Sequence, residues 1–359
     1  MLSQDGNPIY SEMGTYKTLL STSGDAAAKL AADKAKADII ITWQTEEGGF
    51  YKHISDSKAG AGTKYSTAWV SGSKSSTWLG AGGVSLGTID NDATTSELMF
   101  LADVYKRSGD TKYRDAARKT LDFLLTMQYP SGGFPQVYPA RADTSYSNYV
   151  TFNDDAMARV MLVLDQTAKK VAPLDAADLF TDAQRARLDA AIAKGVEFIL
   201  KAQIKQNGKL TVWCAQHDPV TFAPLGARAY ELPSKSGKES VLVTAFLMTR
   251  PQTAEVAAAV KGALAWYNSS AVKVADTAYV NRPSGNTDDA YNPIQTKAGS
   301  TMWYRFYEVT EDKGFFSDRT GGTFYNIMEI EAERRYGYQW GGSYGTTLFD
   351  YAKKAGVSY

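Results

Sequence analysis

The chain has 359 residues, and its 39 Lys and Arg balance 39 Asp and Glu, so the formal net charge at pH 7 is zero. A neutral chain lacks the overall basic field by which proteins bind nucleic acid, and no apolar run approaches the roughly 20 residues needed to span a bilayer. The single cysteine, Cys214, excludes an intramolecular disulfide and a cysteine-rich zinc site.

Apolar residues at helical spacing occur along most of the chain and predict a mostly helical protein. In chain order, helices are predicted over residues 26–43, 94–107, 111–127, 153–169, 181–203, 253–268, 301–309 and 324–336. Strand-like stretches are short, as at residues 209–213, so we expect only minor β-structure.

Three predicted helices end in a glutamine that is followed by a glycine turn, namely Gln44, Gln128 and Gln203. Their intervals of about 80 residues suit two helix pairs per structural repeat. Glycine turns after helices are common, so unrelated helix ends would also give this pattern. The repeat favours a mainly α fold, an (α/α) toroid-like incomplete barrel with minor β-structure.

We expect residues 1–359 to form a single catalytic unit, acting as a monomer, in which a smaller irregular subdomain packs on the helical toroid and forms the cleft. Loops gather at the ends of such an array, so polar clusters in them become candidate sites. The first residues lack the charged segment and apolar stretch of a signal peptide.

Two acidic clusters of similar form precede predicted helices: TIDNDATT at residues 88–95 and TFNDDAM at residues 151–157. Such residues commonly cap a helix start. Carboxylate and amide oxygens are also the ligands that Ca²⁺ prefers, with water completing a shell of six to eight. Neither cluster has EF-hand spacing. If both clusters meet at one end of the array, their incomplete shell leaves positions for a substrate carboxylate.

Three arginines and a lysine complete the charged candidates. Arg228 and Lys235 lie in one polar loop, Arg305 lies inside an aromatic segment predicted to be helical, and Arg319 lies in a glycine-rich loop. A loop arginine often forms only a surface ion pair, whereas a charge among aromatic residues is costly unless it is paired or faces a cleft. Because guanidinium groups bind carboxylates bidentately, the set indicates a polyanionic ligand.

Other residue types give weaker indications. His53 and His217 are the only histidines and fit no zinc or triad signature. Trp78 and Trp213, near loops, are the better candidates for stacking on sugar rings.

The chain resembles the family 10 polysaccharide lyases, which are bacterial pectate lyases of the α-helical kind, over nearly its whole length. The most specific matching segments are IDNDAT (89–94), QYPSGGFPQ (128–136), FND (152–154), ARAYELPS (227–234) and RFYE (305–308). The resemblance implies a toroid-like fold, a secreted enzyme whose signal peptide has been removed, and cleavage of polygalacturonate by calcium-dependent β-elimination to 4,5-unsaturated products. No nucleic acid or membrane partner is expected.

The resemblance also implies roles for individual residues. Arg228 matches the Brønsted base that abstracts the C5 proton. Arg305 and Arg319 match arginines that hold substrate carboxylates, and we include Lys235 with them as a substrate-binding residue. An arginine base requires a pKa lowered from its usual value above about 12, so we expect an alkaline pH optimum.

For the metal, Asp90, Asn91 and Asp154 match the region that binds Ca²⁺ together with the substrate carboxylate. The neighbouring acids Asp92 and Asp155 cannot be ranked from sequence. The chain departs from the family pattern at Lys235, where an apolar residue is expected, and after Arg319, where Thr320 replaces an acid and could alter the positioning of that arginine.

Two other functions remain possible from the sequence. A glycoside hydrolase with a toroid of helices would use paired carboxylates, and Asp92 and Asp154 are the candidate pair. A non-catalytic protein that binds acidic polysaccharide would need only the charged groups.

Overall fold

The structure is a computed structural model, and it describes residues 8–52, 63–69 and 78–358. His53 lies outside the described residues. The α-helices are α1 (Ala26–Thr42), α2 (Thr95–Ser108), α3 (Thr111–Met127), α4 (Ala156–Ala168), α5 (Asp182–Ala202), α6 (Glu239–Met248), α7 (Ala254–Asn268), α8 (Ala332–Gly337) and α9 (Tyr344–Ala355). A 3₁₀ helix, Pro8–Leu19, precedes α1.

Most strands have only two residues. They are β1 (Gly87–Thr88), β2 (Val137–Tyr138), β3 (Val150–Thr151), β4 (Lys205–Gln206), β5 (Lys209–Leu210), β6 (Gln216–His217), β7 (Pro224–Leu225), β8 (Lys235–Ser236), β9 (Val274–Tyr279), β10 (Ile294–Tyr304), β11 (Phe306–Tyr307), β12 (Gly314–Ser317), β13 (Thr323–Phe324) and β14 (Gly341–Gly342). The prediction of a mainly α protein with minor β-structure is confirmed.

The chain divides into two compact units, an N-terminal unit, Tyr10–Glu197, and a C-terminal unit, Phe198–Tyr359, to which the residues before Tyr10 belong. In the N-terminal unit, α2 packs against α1, α3 and α4. In the C-terminal unit, α6, α7 and α9 pack against one another, beside a four-stranded antiparallel sheet in the order β13-β12-β11-β8. That these units act as a single catalytic unit stays a prediction.

Helices α1 to α5 and α7 agree with the sequence prediction to within a few residues, but the predicted helix at residues 301–309 is wrong. There β10 ends at Tyr304 and β11 begins at Phe306. The apolar pairs Met302–Trp303 and Phe306–Tyr307 are four residues apart, which resembles helical spacing. Both pairs are buried, but each lies in a strand. Residues 324–336 form no continuous helix, because a 3₁₀ helix at Ile327–Glu329 is followed by α8 only from Ala332.

Two helices and one hairpin were not predicted. All ten residues of α6 are buried, so this helix has no polar face and no helical period. Helix α9 ends the described chain. The antiparallel β9–β10 hairpin has a bulge between Thr296 and Thr301. It was not predicted because its polar, exposed residues have the composition of a loop.

The predicted glutamine repeat corresponds to a shared set of hydrogen bonds. In each case the glutamine side chain donates to a carbonyl of the turn that follows its own helix and to a carbonyl of a later helix. The later contact, at 2.9–3.0 Å, joins Gln44 to Ala116 of α3, Gln128 to Ala191 of α5 and Gln203 to Ala259 of α7. Because the same bond recurs three times, the sequence pattern reflects a structural repeat.

The expected sugar-stacking tryptophans are buried instead. Trp213 is fully buried and its indole donates to the carbonyl of Ile199, at 2.7 Å. Trp78 is 7% exposed and packs edge-on against Tyr51. His217 is also fully buried, and burial lowers its pKa to about 4. No helix in the described part of the chain is long and apolar enough to cross a membrane.

The turn after α3 depends on glycine. Gly132 has φ +100°, and a Cβ there would lie 2.0 Å from the carbonyl oxygen of Lys194 in α5. Gly208, in the third repeat, has φ +76° and open space where a Cβ would be. We expect Gly132→Ala to lower the free energy of unfolding by about 3 kcal/mol or more, and Gly208→Ala by about 1 kcal/mol from backbone strain alone. Urea unfolding of the two variants measures this difference, and equal losses would contradict it.

Candidate active site

Two turns with the same backbone shape carry the acidic clusters. In the first, β1 leads into a 3₁₀ turn, Asp90–Asp92, and then α2; in the second, β3 leads into Asn153–Asp155 and then α4. Asn91 and Asp154 have φ of 49° and 50°, and the residues that follow them have φ of 61° and 64°. Asn and Asp tolerate this left-handed region better than other residues. The two turns contact each other within the N-terminal unit, so the expected meeting of the clusters is confirmed.

Asp90 has one carboxylate oxygen in an ion pair and one without a hydrogen-bond partner. Its Oδ2 lies 2.6 Å from Nζ of Lys52, which the sequence analysis did not identify. Its Oδ1 is buried and accepts no hydrogen bond from the described residues. Leaving a buried carboxylate oxygen unsatisfied costs free energy, so the site favours an additional cation or donor.

The other two predicted ligands are more accessible. The Asn91 side chain is exposed at the tip of its turn. Asp154 is half-buried, and its Oδ2 accepts a hydrogen bond from Nδ2 of Asn153 at 2.9 Å. The turn thus presents Asp154 beside a second amide side chain.

The remaining two acids, Asp92 and Asp155, are paired with an arginine, Arg159. Arg159 of α4 forms an ion pair with Oδ1 of Asp92 and lies 3.9 Å from Oδ2 of Asp155. Thr15 also donates to Asp92, at 2.9 Å. Asp92 and Asp155 occupy equivalent positions in the two turns, and both face the same guanidinium. The sequence could not rank Asp92 and Asp155 as calcium ligands. Because both carboxylates lie beside the Arg159 guanidinium, we rank them below Asp90 and Asp154.

The residues present fit a calcium ion that has other ligands as well. Among the described residues, no three His, Cys, Asp or Glu side chains are arranged to hold a metal. Two carboxylates and an amide, Asp90, Asp154 and Asn91, supply hard oxygen donors but fewer than the six to eight that Ca²⁺ takes. The unsatisfied Oδ1 of Asp90 is the observation that favours a cation here.

The predicted arginines meet around two tyrosines of the C-terminal unit. The rings of Tyr230 and Tyr338 are 5.4 Å apart, edge to face. The guanidinium carbons lie near the ring centres: Arg228 at 4.8 Å, Arg319 at 5.8 Å and Arg334 at 4.6 Å from Tyr230, and Arg305 at 4.3 Å from Tyr338. We call these four arginines and two tyrosines the arginine cluster. Cation–π attraction is worth about 0.5–2 kcal/mol for each such contact.

Within the cluster, Arg228 is held by Glu231. Nε of Arg228 donates to Oε2 at 2.7 Å and Nη2 donates to Oε1 at 2.5 Å. The Arg228 side chain is 44% exposed, whereas that of Glu231 is 3% exposed. Burial lowers the pKa of Arg228. The hydrogen bonds and charge of Glu231 raise it by more, so the pKa lies above its ordinary value. Arg228 is therefore cationic at neutral pH, and the lowered pKa that the sequence analysis expected of an arginine base is not found.

Arg305 is buried and lies between two strands, which corrects its predicted place on a helix. Its N–H donates to the carbonyl of Trp340, just before β14, and its own carbonyl accepts from the N–H of Gly237, between β8 and α6. Its Nη2 donates to Oε1 of Glu239 at 2.5 Å. Burial raises the pKa of Glu239, but Arg305 and then Lys238 lower it more, to about 2.

Arg319 is exposed and shares a carboxylate with Arg334. Nε and Nη2 of Arg319 donate to Glu333 at 3.0 and 3.1 Å, and Arg334 donates to the same two oxygens. Thr320, which replaces the expected acid, donates from Oγ1 to Asp318 at 2.5 Å and closes the loop. Arg334 was missed because nothing in its sequence neighbourhood distinguishes it from a surface arginine.

Lys235 does not belong to this cluster. Its side chain is fully buried, and Nζ donates to Oδ1 of Asp312 at 2.6 Å and to Gln206. A fully buried, paired ammonium is not accessible to a substrate carboxylate, so these contacts do not support the predicted role of Lys235 in substrate binding, which stays a prediction. Trp266 donates to the same Asp312 oxygen, at 2.8 Å, and the contacts indicate a structural ion pair.

The two arginines that were predicted to bind substrate, Arg305 and Arg319, should differ in their effect on stability. Arg305→Ala leaves Glu239 buried without its closest cation, and we expect a loss of about 3 kcal/mol or more. Arg319→Ala removes an exposed pair, and we expect little change in unfolding temperature.

The Arg305 effect should also depend on pH. The folded pKa of Glu239, about 2, lies below the ordinary value of 4.5, so its contribution is complete above about pH 4.5 and is lost as pH falls toward 2. Denaturant unfolding at several pH values checks this, and a difference between wild type and Arg305→Ala that grows on acidification would contradict it.

Comparisons with known proteins identify the family of the chain. The Pectic acid lyase family model matches residues 44–349, whereas no curated protein sequence matches the chain. Among solved structures, the chain is similar to the family 10 polysaccharide lyase from Cellvibrio cellulosa, with 45% identity over 99% of this chain and 98% of that chain and a TM-score of 0.83.

A second similar structure is a mutant of the family 10 polysaccharide lyase from Cellvibrio cellulosa in complex with trigalacturonic acid. It is 44% identical over 99% of this chain and 100% of that chain, with a TM-score of 0.83. These likenesses confirm the predicted fold class and the resemblance seen in the sequence. The chain belongs to the pectic acid lyases, the family 10 polysaccharide lyases, and is a pectate lyase.

Proposed function

We propose that the chain cleaves (1→4)-α-D-galacturonan by calcium-assisted β-elimination, with Arg228 as the Brønsted base. The observation that carries this proposal is the arginine cluster, in which Arg228, Arg305 and Arg319 meet around Tyr230 and Tyr338. Polygalacturonate, which presents one carboxylate per sugar, has the charge that such a cluster attracts. The trigalacturonic acid bound by the related lyase supports the same substrate for this chain.

Elimination requires removal of the proton at C5, which is alpha to the substrate carboxylate. Negative charge then builds toward that carboxyl group. A bound Ca²⁺ would neutralise the carboxylate and acidify the C5 proton. Asp90, Asn91 and Asp154 would hold the ion, and Arg319 would bind a substrate carboxylate directly. Because Arg305 is buried, we propose that it does not contact substrate and instead holds the Tyr338 ring in place beside Arg228.

Arg228 acts in its neutral form. The C5–H bond breaks as a guanidine nitrogen takes the proton, the double bond forms between C4 and C5, and the C4–O4 bond breaks. Water supplies the proton to O4, so no second acid is needed. Since Glu231 raises the pKa of Arg228, the neutral form becomes more abundant only as pH rises. We therefore expect activity to increase on the alkaline side.

Two alternatives from the sequence are overturned by the family assignment. The chain is neither a glycoside hydrolase nor a non-catalytic binding protein. The ion pair between Asp92 and Arg159 agrees with this, because a carboxylate paired with a guanidinium keeps a low pKa and is a poor general acid. We further propose that the enzyme is secreted, since its polymeric substrate cannot cross a membrane. We also propose that it acts as a monomer.

Replacing the base should abolish elimination. We expect Arg228→Ala to lower kcat by about a hundredfold to ten-thousandfold, because proton abstraction contributes about 10²–10⁴ in general base catalysis. The ultraviolet absorbance of the unsaturated product on polygalacturonate measures the rate, and hydrolysis gives no such signal. Arg187→Ala, which removes an exposed arginine paired with Asp122, is the control. Near-normal turnover by Arg228→Ala at saturating calcium would refute the assignment.

The calcium assignment can be measured without turnover. In the Arg228→Ala background, calorimetry with trigalacturonic acid present should give a calcium affinity that Asp154→Ala and Asp90→Asn each reduce by about tenfold or more. Asp122→Asn, an exposed acid in an ion pair with Arg187, serves as the matched control and should leave it unchanged. Undiminished lyase activity after thorough chelation would refute a role for calcium.

A further inference from the structure

Glu231 bonds two of the three nitrogens of the Arg228 guanidinium. Nε and Nη2 form one edge of the group, and both donate to the carboxylate. Nη1 lies at the opposite side and makes no hydrogen bond with the described residues. The three nitrogens are therefore not equivalent as places from which a proton can leave.

The chemistry of a neutral guanidine distinguishes them. Loss of the Nε proton would break one bond to Glu231 and turn a lone pair toward its negative charge. Loss from Nη2 would leave an imine there, which is a weaker donor, against the same carboxylate. Loss from Nη1 keeps both N–H donors to Glu231 and places the lone pair on the side away from it.

We propose that Glu231 is a positioning residue that selects Nη1 of Arg228 as the atom that accepts the C5 proton. This inference rests on the proposed role of Arg228 as the base. In the step, the C5–H bond breaks and an Nη1–H bond forms, while the electron pair makes the C4–C5 double bond and O4 leaves. O4 takes a proton from water, and the hydroxide formed removes the added proton from Nη1, which restores the neutral guanidine.

The surroundings of Glu231 hold it in one place. Its Oε1 accepts a hydrogen bond from the hydroxyl of Tyr338 at 2.9 Å. Its backbone N–H donates to the Arg228 carbonyl at 2.7 Å and its carbonyl accepts from Ala227, which closes the turn between the two residues. Tyr230, inside this turn, is buried in an aromatic core with Phe306. A fixed carboxylate fixes the guanidinium plane, as in other positioned general bases.

This arrangement has a cost at neutral pH. Glu231, Tyr230 and Tyr338 face the Arg228 guanidinium, and of these Glu231 carries the negative charge that favours its cationic form. Burial raises the pKa of Tyr338 well above its ordinary value, so this hydroxyl stays a neutral donor. Glu231 thus orients the base and, by the same bonds, moves its working range to higher pH.

The test is the pH profile of kcat/KM in Glu231→Gln, measured by ultraviolet product absorbance in the full chain. Removing the charge lowers the pKa of Arg228 and should raise kcat/KM on the rising alkaline limb by about tenfold. The loss of one acceptor should lower kcat by about a thousandfold because the proton position is no longer fixed, so we expect a net loss of about a hundredfold, in kcat rather than KM. Asp122→Asn, which removes an exposed carboxylate paired with Arg187, is the matched control and should keep the wild-type profile.

A second variant keeps the charge. Tyr338→Phe should lower kcat by about tenfold along the whole rising limb, because Glu231 keeps its charge but loses the donor that holds it. An unchanged or higher kcat in Glu231→Gln would overturn the inference, as would a wild-type kcat in Tyr338→Phe should Glu231→Gln fail to fold. If Arg228→Ala remains active, the proposed function fails; if it is inactive while Glu231→Gln behaves as wild type, only this inference fails.

Discussion

Each of the four guanidinium groups of the arginine cluster has a carboxylate beside it, and this pairing shapes the C-terminal unit. Arg228 has Glu231, Arg305 has Glu239, and Arg319 and Arg334 share Glu333. Removing either partner of a buried pair leaves an uncompensated charge, which costs more than the pair itself contributes. The glutamates therefore belong to the architecture as much as the arginines do.

The same constraint explains how a neutral chain carries such strongly charged sites. In the N-terminal unit, Arg159 is shared by Asp92 and Asp155, and Lys52 is paired with Asp90. Both units thus keep opposite charges side by side, so the net charge of zero reflects local pairing rather than a lack of charge. An acidic polysaccharide meets concentrated positive groups on a protein with no overall field.

The sequence predicted what depends on local pattern. Amphipathic helices such as α3 were located because one face is buried and the other is solvated, and the two acidic turns were recognised from their repeated order of Asn and Asp. Helix α6 was missed because burial on every side removes the period. The segment around Arg305 gave helical spacing by coincidence, since its buried pairs come from two strands.

Partners across the fold could not be predicted in this way. Glu239 lies far from Arg305 in the chain, and Arg334 reaches Tyr230 from a short helix that carries no motif. Lys235 illustrates the reverse case, because a lysine in a polar loop gives no indication that it is fully buried. Which side chains share a site is decided by tertiary packing, whereas the sequence specifies only the residue types and the turns that hold them.

The pair between Arg319 and Glu333 has a consequence for any acidic chain that approaches it. Arg319 already holds a carboxylate, in the bidentate geometry that a uronate would adopt. Under the proposed role of Arg319, binding there would exchange one carboxylate for another, so the gain in free energy would be the small difference between two similar bonds. Glu333 would stay bonded to Arg334 during that exchange and would be in place to bond Arg319 again as the product leaves.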